Sequence, residues 1–258
     1  MTLILNKHGA TKELPYKYFG ESPFIGLELE IDTLFQVNKE QFQAEILVVL
    51  DKENLIDHYN VEKDGSLVTG LEIIFQPHNI VDLKNFLTNS FSTTLDELKV
   101  IPFMQDSTPF AGIHFHVSKT LFGDTLKDQI ENIAKLWFFC SKFESSLIKI
   151  GRKINLKYSR FPRTPLSKEE ALAKVEKELD QNNIKNENKY QAINLNNPDT
   201  VEFRFFKTTL DLDTLIFYLD FIYWISLQST KLSWGNCNNW ESWFENAPQN
   251  IISYLKKL

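Results

Sequence analysis

The 258-residue chain has only two cysteines, Cys140 and Cys237, which give neither a disulfide framework nor a CxxC metal pair. It also lacks a basic excess, because 28 Lys and Arg against 34 Asp and Glu leave a formal charge of −6 and a pI near 5.5. A broad nucleic-acid footprint would need the opposite balance, so no nucleic-acid partner is expected. Long hydrophobic runs are missing too. The longest, Leu215 to Leu227, is interrupted by Asp220 and falls short of the ~20 residues of a membrane span. The three consecutive apolar side chains after Thr2 are too few for a signal-peptide core, which predicts a soluble, cytoplasmic protein with no membrane partner. Regular βαβ alternation, a GxGxxG turn and a Walker phosphate loop are all absent, which removes support for Rossmann and P-loop folds.

Apolar residues are plentiful, at 43% of the chain with 21 Phe, enough for a core that buries roughly 70% of the unfolded surface. Four segments place charged or imidazole side chains on every second residue: Gly26-Leu27-Glu28-Leu29-Glu30, Gly70-Leu71-Glu72-Ile73-Ile74, Gly112-Ile113-His114-Phe115-His116 and Thr200-Val201-Glu202-Phe203-Arg204-Phe205. On a strand, alternate side chains share a face, so Glu28 lies with Glu30, His114 with His116 and Glu202 with Arg204. A sheet with one face in water gives the same alternation. Such faces, however, normally carry Thr, Lys, Ser or Gln, and acidic residues are depleted in strands. Like charges side by side invite a cation between them. A polar face gathering carboxylates, imidazoles and a guanidinium is therefore expected to be a divalent-metal and phosphate site.

Apolar spacing predicts a helix over Lys39 to Leu50, and Tyr59–Lys63 with Ser66–Val68 reads as a hairpin turning at Asp64-Gly65, a type I′ pair. Further helices are predicted over Asn79 to Lys99, weakened at Ser90 to Thr94, and over Asp124 to Ile150 with Gly151 as the stop. Ser167 to Glu170 forms a capping box opening a polar helix to about Gln181, and Asn182 to Asn188 reads as a flexible excursion. Leu212 to Gln228 and Trp240 to Leu258 complete the set. The fold class is α+β: a mostly antiparallel sheet with helices on its apolar face and an open polar cleft. Residues 1–258 read as one domain, of which 211–258 is the helical C-terminal part.

In order, the pieces are GLELE at 26–30, EKDGSL at 62–67, GLEI at 70–73, AGIHFHVS at 111–118 and VEFRFF at 201–206. This order resembles the amidoligases of the glutamine synthetase and glutamate-cysteine ligase superfamily, whose pattern runs GxExE, DGS, GxE, GxHxH and ExR. The resemblance spans residues 24 to about 210. Arg152 followed by Asn155 and Tyr158, and Tyr190 to Leu195, are also similar to that family. The resemblance implies an ATP-dependent ligase that joins a carboxylate to an amine through an acyl phosphate. The fold it implies is an antiparallel half-barrel like the glutamine synthetase catalytic domain, with Mg²⁺ or Mn²⁺ in its cleft. By matched position, Glu28, Glu30, Glu72 and Glu202 would be metal ligands, and His114 would join a metal or the nucleotide phosphates. His116 would do the same or orient substrate. The carboxylate and amine substrates would be peptide or amino-acid-like.

Arg204 carries a planar fork suited to the transferring phosphate. Asp64 fits either the base for the attacking amine or a plain turn residue, and Glu62 faces either cleft or solvent. Lys149, Arg152, Lys153, Lys157, Arg160 and Arg163 crowd one stretch. For Lys149 and Lys153 a solvated helix end suffices, whereas Arg152, Arg160 and Arg163 suit ATP phosphates or a substrate carboxylate. Departing from the family, Phe75 follows GLEII where a small polar residue is usual. The Trp-rich segment Trp234 to Trp243 lies beyond the resemblance and reads as terminal packing or a surface for a protein partner. Two other functions use the same residues: a relative without turnover that serves in binding or assembly, and a metal-dependent phosphotransferase or hydrolase.

Overall fold

Alternating side chains and capping residues account for most of the elements. A computed structural model describes residues 3–10, 15–33, 35–52, 55–102, 104, 111–153, 157, 159–165, 167–179 and 190–257. Asn155, Tyr158 and the 182–188 excursion lie outside the described residues. The strands are β1 (Leu5–Asn6), β2 (Ile25–Ile31), β3 (Tyr59–Glu62), β4 (Leu71–His78), β5 (Gly112–Ser118), β6 (Ile193–Asn194) and β7 (Thr200–Lys207). The helices are α1 (Lys39–Leu50), α2 (Ile80–Phe86), α3 (Ser92–Lys99), α4 (Leu126–Lys142), α5 (Glu144–Gly151), α6 (Lys168–Leu179), α7 (Leu212–Lys231), α8 (Trp240–Phe244) and α9 (Gln249–Leu255). The fold is mixed α+β with an open seven-strand sheet. Pairs β2–β4, β3–β4 and β6–β7 are antiparallel and β1–β3 is parallel. No helix among the described residues is long and apolar enough to cross a membrane. Two compact units divide the chain, residues 1–115 with 207–216 and residues 116–206 with 217–258.

In the first unit the strand order is β1-β3-β4-β2-β5. Leu27, Phe75 and Tyr59 lie opposite one another across β2, β4 and β3, and Leu29, Ile73 and Val61 form the next row. All six are buried. Phe75 meets Phe91 edge-on at 5.0 Å, and the Tyr59 hydroxyl donates to the Leu50 carbonyl at the end of α1. Asn38 starts α1 by accepting from the Gln41 amide, and Asn79 starts α2 by accepting from the Asp82 amide, both at 2.8 Å. The expected weak stretch at 90–94 overlaps a π turn, Leu87–Phe91, only at Ser90 and Phe91, and Ser92 to Thr94 already belongs to α3.

The expected hairpin pairs as β3 with β4, but β4 returns only at Leu71, and Gly65 does not have the positive φ of a type I′ turn. Ser66 to Val68 is not a strand. Its backbone has other partners: the Ser66 amide donates to Asp64 Oδ1 and the Val68 amide to Asp32 Oδ2.

In the second unit β6 pairs with β7. The single helix expected over 124–150 is two, α4 and α5, divided at Phe143, whose amide still bonds the Phe139 carbonyl. Gly151 remains in α5, and Arg152 takes the left-handed cap with φ 54°. Space explains the exchange: a Cβ on Gly151 would lie 2.2 Å from the Phe205 carbonyl oxygen. Ser167 caps α6 as expected, accepting from the Glu170 amide at 3.2 Å. The terminal helix is broken between α8 and α9 at Pro248, where a helix-interior amide is lost. Within the Trp-rich segment Trp243 is fully buried, its indole donating to the Cys237 carbonyl and its backbone carbonyl accepting from the Trp224 indole, while Trp234 and Trp240 are half-buried.

Candidate metal centre

On the face of the first unit opposite the aromatic rows, Glu30, Glu72 and Glu62 occupy directly opposite positions on β2, β4 and β3. Their exposures are 3%, 5% and 2%, so this is not a water-facing surface. Three carboxylates side by side repel, and backbone donors offset part of that. Gly112 N–H donates to Glu30 Oε2, and Gly9 N–H donates to Glu62 Oε2 at 2.6 Å. Glu28 sits two residues along from Glu30 with its side chain more open. His114 on β5 lies between them, with Nδ1 3.0 Å from Glu28 Oε2 and Nε2 3.6 Å from Glu30 Oε1.

Glu72 bears the consequence. Burial first, then the charges of Glu28, Glu30 and Asp64, push its carboxyl well above the usual carboxylate range, and its protonated form is hydrogen-bonded to Glu28. Ligand atoms of Glu28, Glu72 and His114 lie within 4.8 Å of one another, as do those of Glu30, Asp64 and Glu72, and of His8, Glu62 and Glu72. Glu72 belongs to each of these sets. Oxygen donors with one imidazole suit hard divalent cations such as Mg²⁺ or Mn²⁺, so the residues present fit the metal. Burial and the charges of Glu28 and Glu62 also push the Tyr16 phenol up.

Two contributors escaped the sequence reading. His8 stands alone in the N-terminal segment and offered no pattern. Asp32 did offer one, because Glu28, Glu30 and Asp32 continue the alternation by one step. Asp32 is fully buried and accepts from the amides of Val68, Thr69 and Gly70 at 2.9–3.0 Å and from the Thr69 hydroxyl at 3.1 Å.

In the second unit, Arg204 is ion-paired with Glu202 Oε1, and Asn194 on β6 donates to Glu202 Oε2 at 2.6 Å. Both oxygens of Glu202 therefore have protein partners. The half-buried His116 places Nδ1 3.4 Å from the Thr200 hydroxyl. Lys153, expected at a solvated helix end, is instead buried and donates to the Arg204 carbonyl at 3.0 Å. Arg152, Arg160 and Arg163 are exposed: Arg152 lies over the Tyr254 ring at 5.7 Å, Arg160 forms a backbone bridge with Gln191, and Arg163 lines a cavity of about 240 Å³ together with Trp137. Burial pushes the Cys140 thiol up and the Cys237 thiol to about 11, as befits inert core cysteines.

No family model and no curated protein matches the chain. Among solved structures it is similar to a bifunctional glutathione synthetase from Pasteurella multocida, at 12% identity and a TM-score of 0.47 over 91% of this chain. The match covers 46% of that protein, so the chain spans less than half its length.

Proposed function

We propose that the chain is an ATP-dependent carboxylate–amine ligase that works through an acyl phosphate on a peptide or amino-acid-like substrate, on an amidoligase-type half-barrel. The observation that carries this reading is the sharing of buried Glu72 by the Glu28/His114 and Glu30/Asp64 ligand sets. Buried carboxylates so close together need neutralising charge, and phosphoryl transfer to a carboxylate needs the same. Glu28, Glu72 and His114 would hold one divalent cation, and Glu30, Glu72 and Asp64 a second. Mg²⁺ or Mn²⁺ bound there would draw together the anionic oxygens of nucleotide and substrate.

Asp64, less buried than Glu30 and Glu72, is the proposed acceptor of the amine proton. In the second unit, Arg204 is the proposed contact for phosphoryl oxygens, with His116, Arg152, Arg160 and Arg163 as further phosphate contacts. Glu202 enters this reading as a further metal ligand and as the carboxylate that orients Arg204. The closed Glu202–Arg204 pair also favours a second reading, in which a relative binds cations without turnover.

Calorimetry with ATP, with and without Mg²⁺, on the wild type and on Glu28→Gln/Glu30→Gln tests both. Mg²⁺-dependent ATP binding that the double variant loses, followed by ADP release with some carboxylate–amine pair, is the expected result. Binding without ADP release selects the relative without turnover. Mg²⁺ affinity unchanged in the double variant removes the metal assignment.

A further inference from the structure

Beyond the ligands themselves, the structure shows how one of them is held. Asp64 lies in the eight-residue connection between β3 and β4, whose tip at Lys63 to Ser66 is largely open. The far end of that connection is clamped from two sides. Asp32 takes the amides of Val68, Thr69 and Gly70, while Gln43 of α1, itself buried, donates to the carbonyls of Thr69 at 3.2 Å and Gly70 at 2.8 Å. The two strands also touch without side chains between them: a Cβ on Gly70 would lie 1.7 Å from the Ile31 carbonyl oxygen. Asp32 directly follows Ile31, so the strand that carries Glu28 and Glu30 also sets where the Asp64 loop ends and where Glu72 begins.

We propose that Asp32 is a positioning residue that, by gripping the Val68–Gly70 amides, fixes the Asp64 carboxylate against Glu30 and Glu72. The proposal rests on the cation site described under Proposed function. A carboxylate suits the task because it can accept from all three amides and the hydroxyl at once. An amide side chain at this position would keep one acceptor and turn a donor toward backbone donors.

The test is Mn²⁺ binding by calorimetry on the wild type, Asp32→Asn, Asp64→Asn and the double variant, with Thr69→Val as a milder change that removes only the hydroxyl bond. Groups that orient metal ligands typically contribute 10–100-fold in affinity, so Asp32→Asn should weaken Mn²⁺ by roughly that factor, and Thr69→Val by less. Because Asp32 acts through Asp64, adding Asp32→Asn to Asp64→Asn should weaken binding little further. Fully additive losses, or wild-type affinity in Asp32→Asn and Thr69→Val, overturn the proposal and leave the cation site standing.

If the wild type binds no Mn²⁺, the cation reading fails instead. A crystal structure of Asp32→Asn, or of Thr69→Val should the former not fold, then decides. Asp64 displaced from Glu30 and Glu72 upholds the positioning role, and Asp64 unmoved overturns it.

Discussion

At the scale of the residue, Glu72 gives the sharpest expectation. Its folded carboxyl titrates well above its ordinary value of 4.5, so protonation favours the folded state. The resulting stability is fully present below the unfolded value and is lost as pH rises through the raised folded value. His58 and His78 act in the opposite direction. Their rings are hydrogen-bonded at 3.1 Å with Phe19 and Phe86 stacked against them, and burial lowers both values, so their contribution is lost as pH falls below the ordinary 6.5. Comparing Glu72→Gln with wild type cancels the histidines. In EDTA the variant should gain stability over wild type progressively as pH rises above the ordinary carboxyl value of 4.5, read as the difference in melting midpoint; a difference that does not change with pH would overturn the raised value.

Strand alternation in the sequence grouped Glu28, Glu30, Glu72 and His114, which lie together in the first unit, and paired Glu202 with Arg204, which are ion-paired in the second. Asp32 was harder to see, since an aspartate just past a strand reads as a turn residue until its amide partners, far along the chain, are known. The partners of Lys153 and Glu202 were likewise fixed by strand neighbours that local sequence does not name.

Among the elements, Gly151 reverses a familiar rule. Glycine to alanine inside a helix ordinarily gains about 1 kcal/mol. Here the added methyl would meet the Phe205 carbonyl, so Gly151→Ala should lose about 1–3 kcal/mol, as overpacked sites do, measured by urea unfolding. A gain would show that α5 can shift away from β7. The sequence reading placed the end of α5 within one residue, at Gly151, but the contact that requires a glycine there comes from a strand some fifty residues later. Phe143 broke a run whose apolar spacing continued without interruption, so periodicity alone could not find it. Pro248, by contrast, stood in plain view between α8 and α9.

For the whole molecule, buried anionic charge links stability to cations. If Mg²⁺ binds the folded first unit and not the unfolded chain, a concentration near 100 times its dissociation constant should add about 2.7 kcal/mol. That corresponds to a rise on the order of 5–10 °C in the melting midpoint. KCl of equal ionic strength should not reproduce it, and Glu28→Gln/Glu30→Gln should abolish it, as read by scanning calorimetry. Equal effects of the two salts would assign the rise to general screening of a chain with net charge −6.

The carboxylate row has one more consequence, for the alignment of the strands during folding. Glu30, Glu72 and Glu62 stand on the face opposite Leu27, Phe75 and Tyr59, so sliding either neighbouring strand by one residue would drive a glutamate into the aromatic layer against Phe91. Threonine or serine in the same places would make that error cheap. With glutamate it is prohibitive, and the side chains that would draw cations also act as a key that only one pairing of the strands can turn.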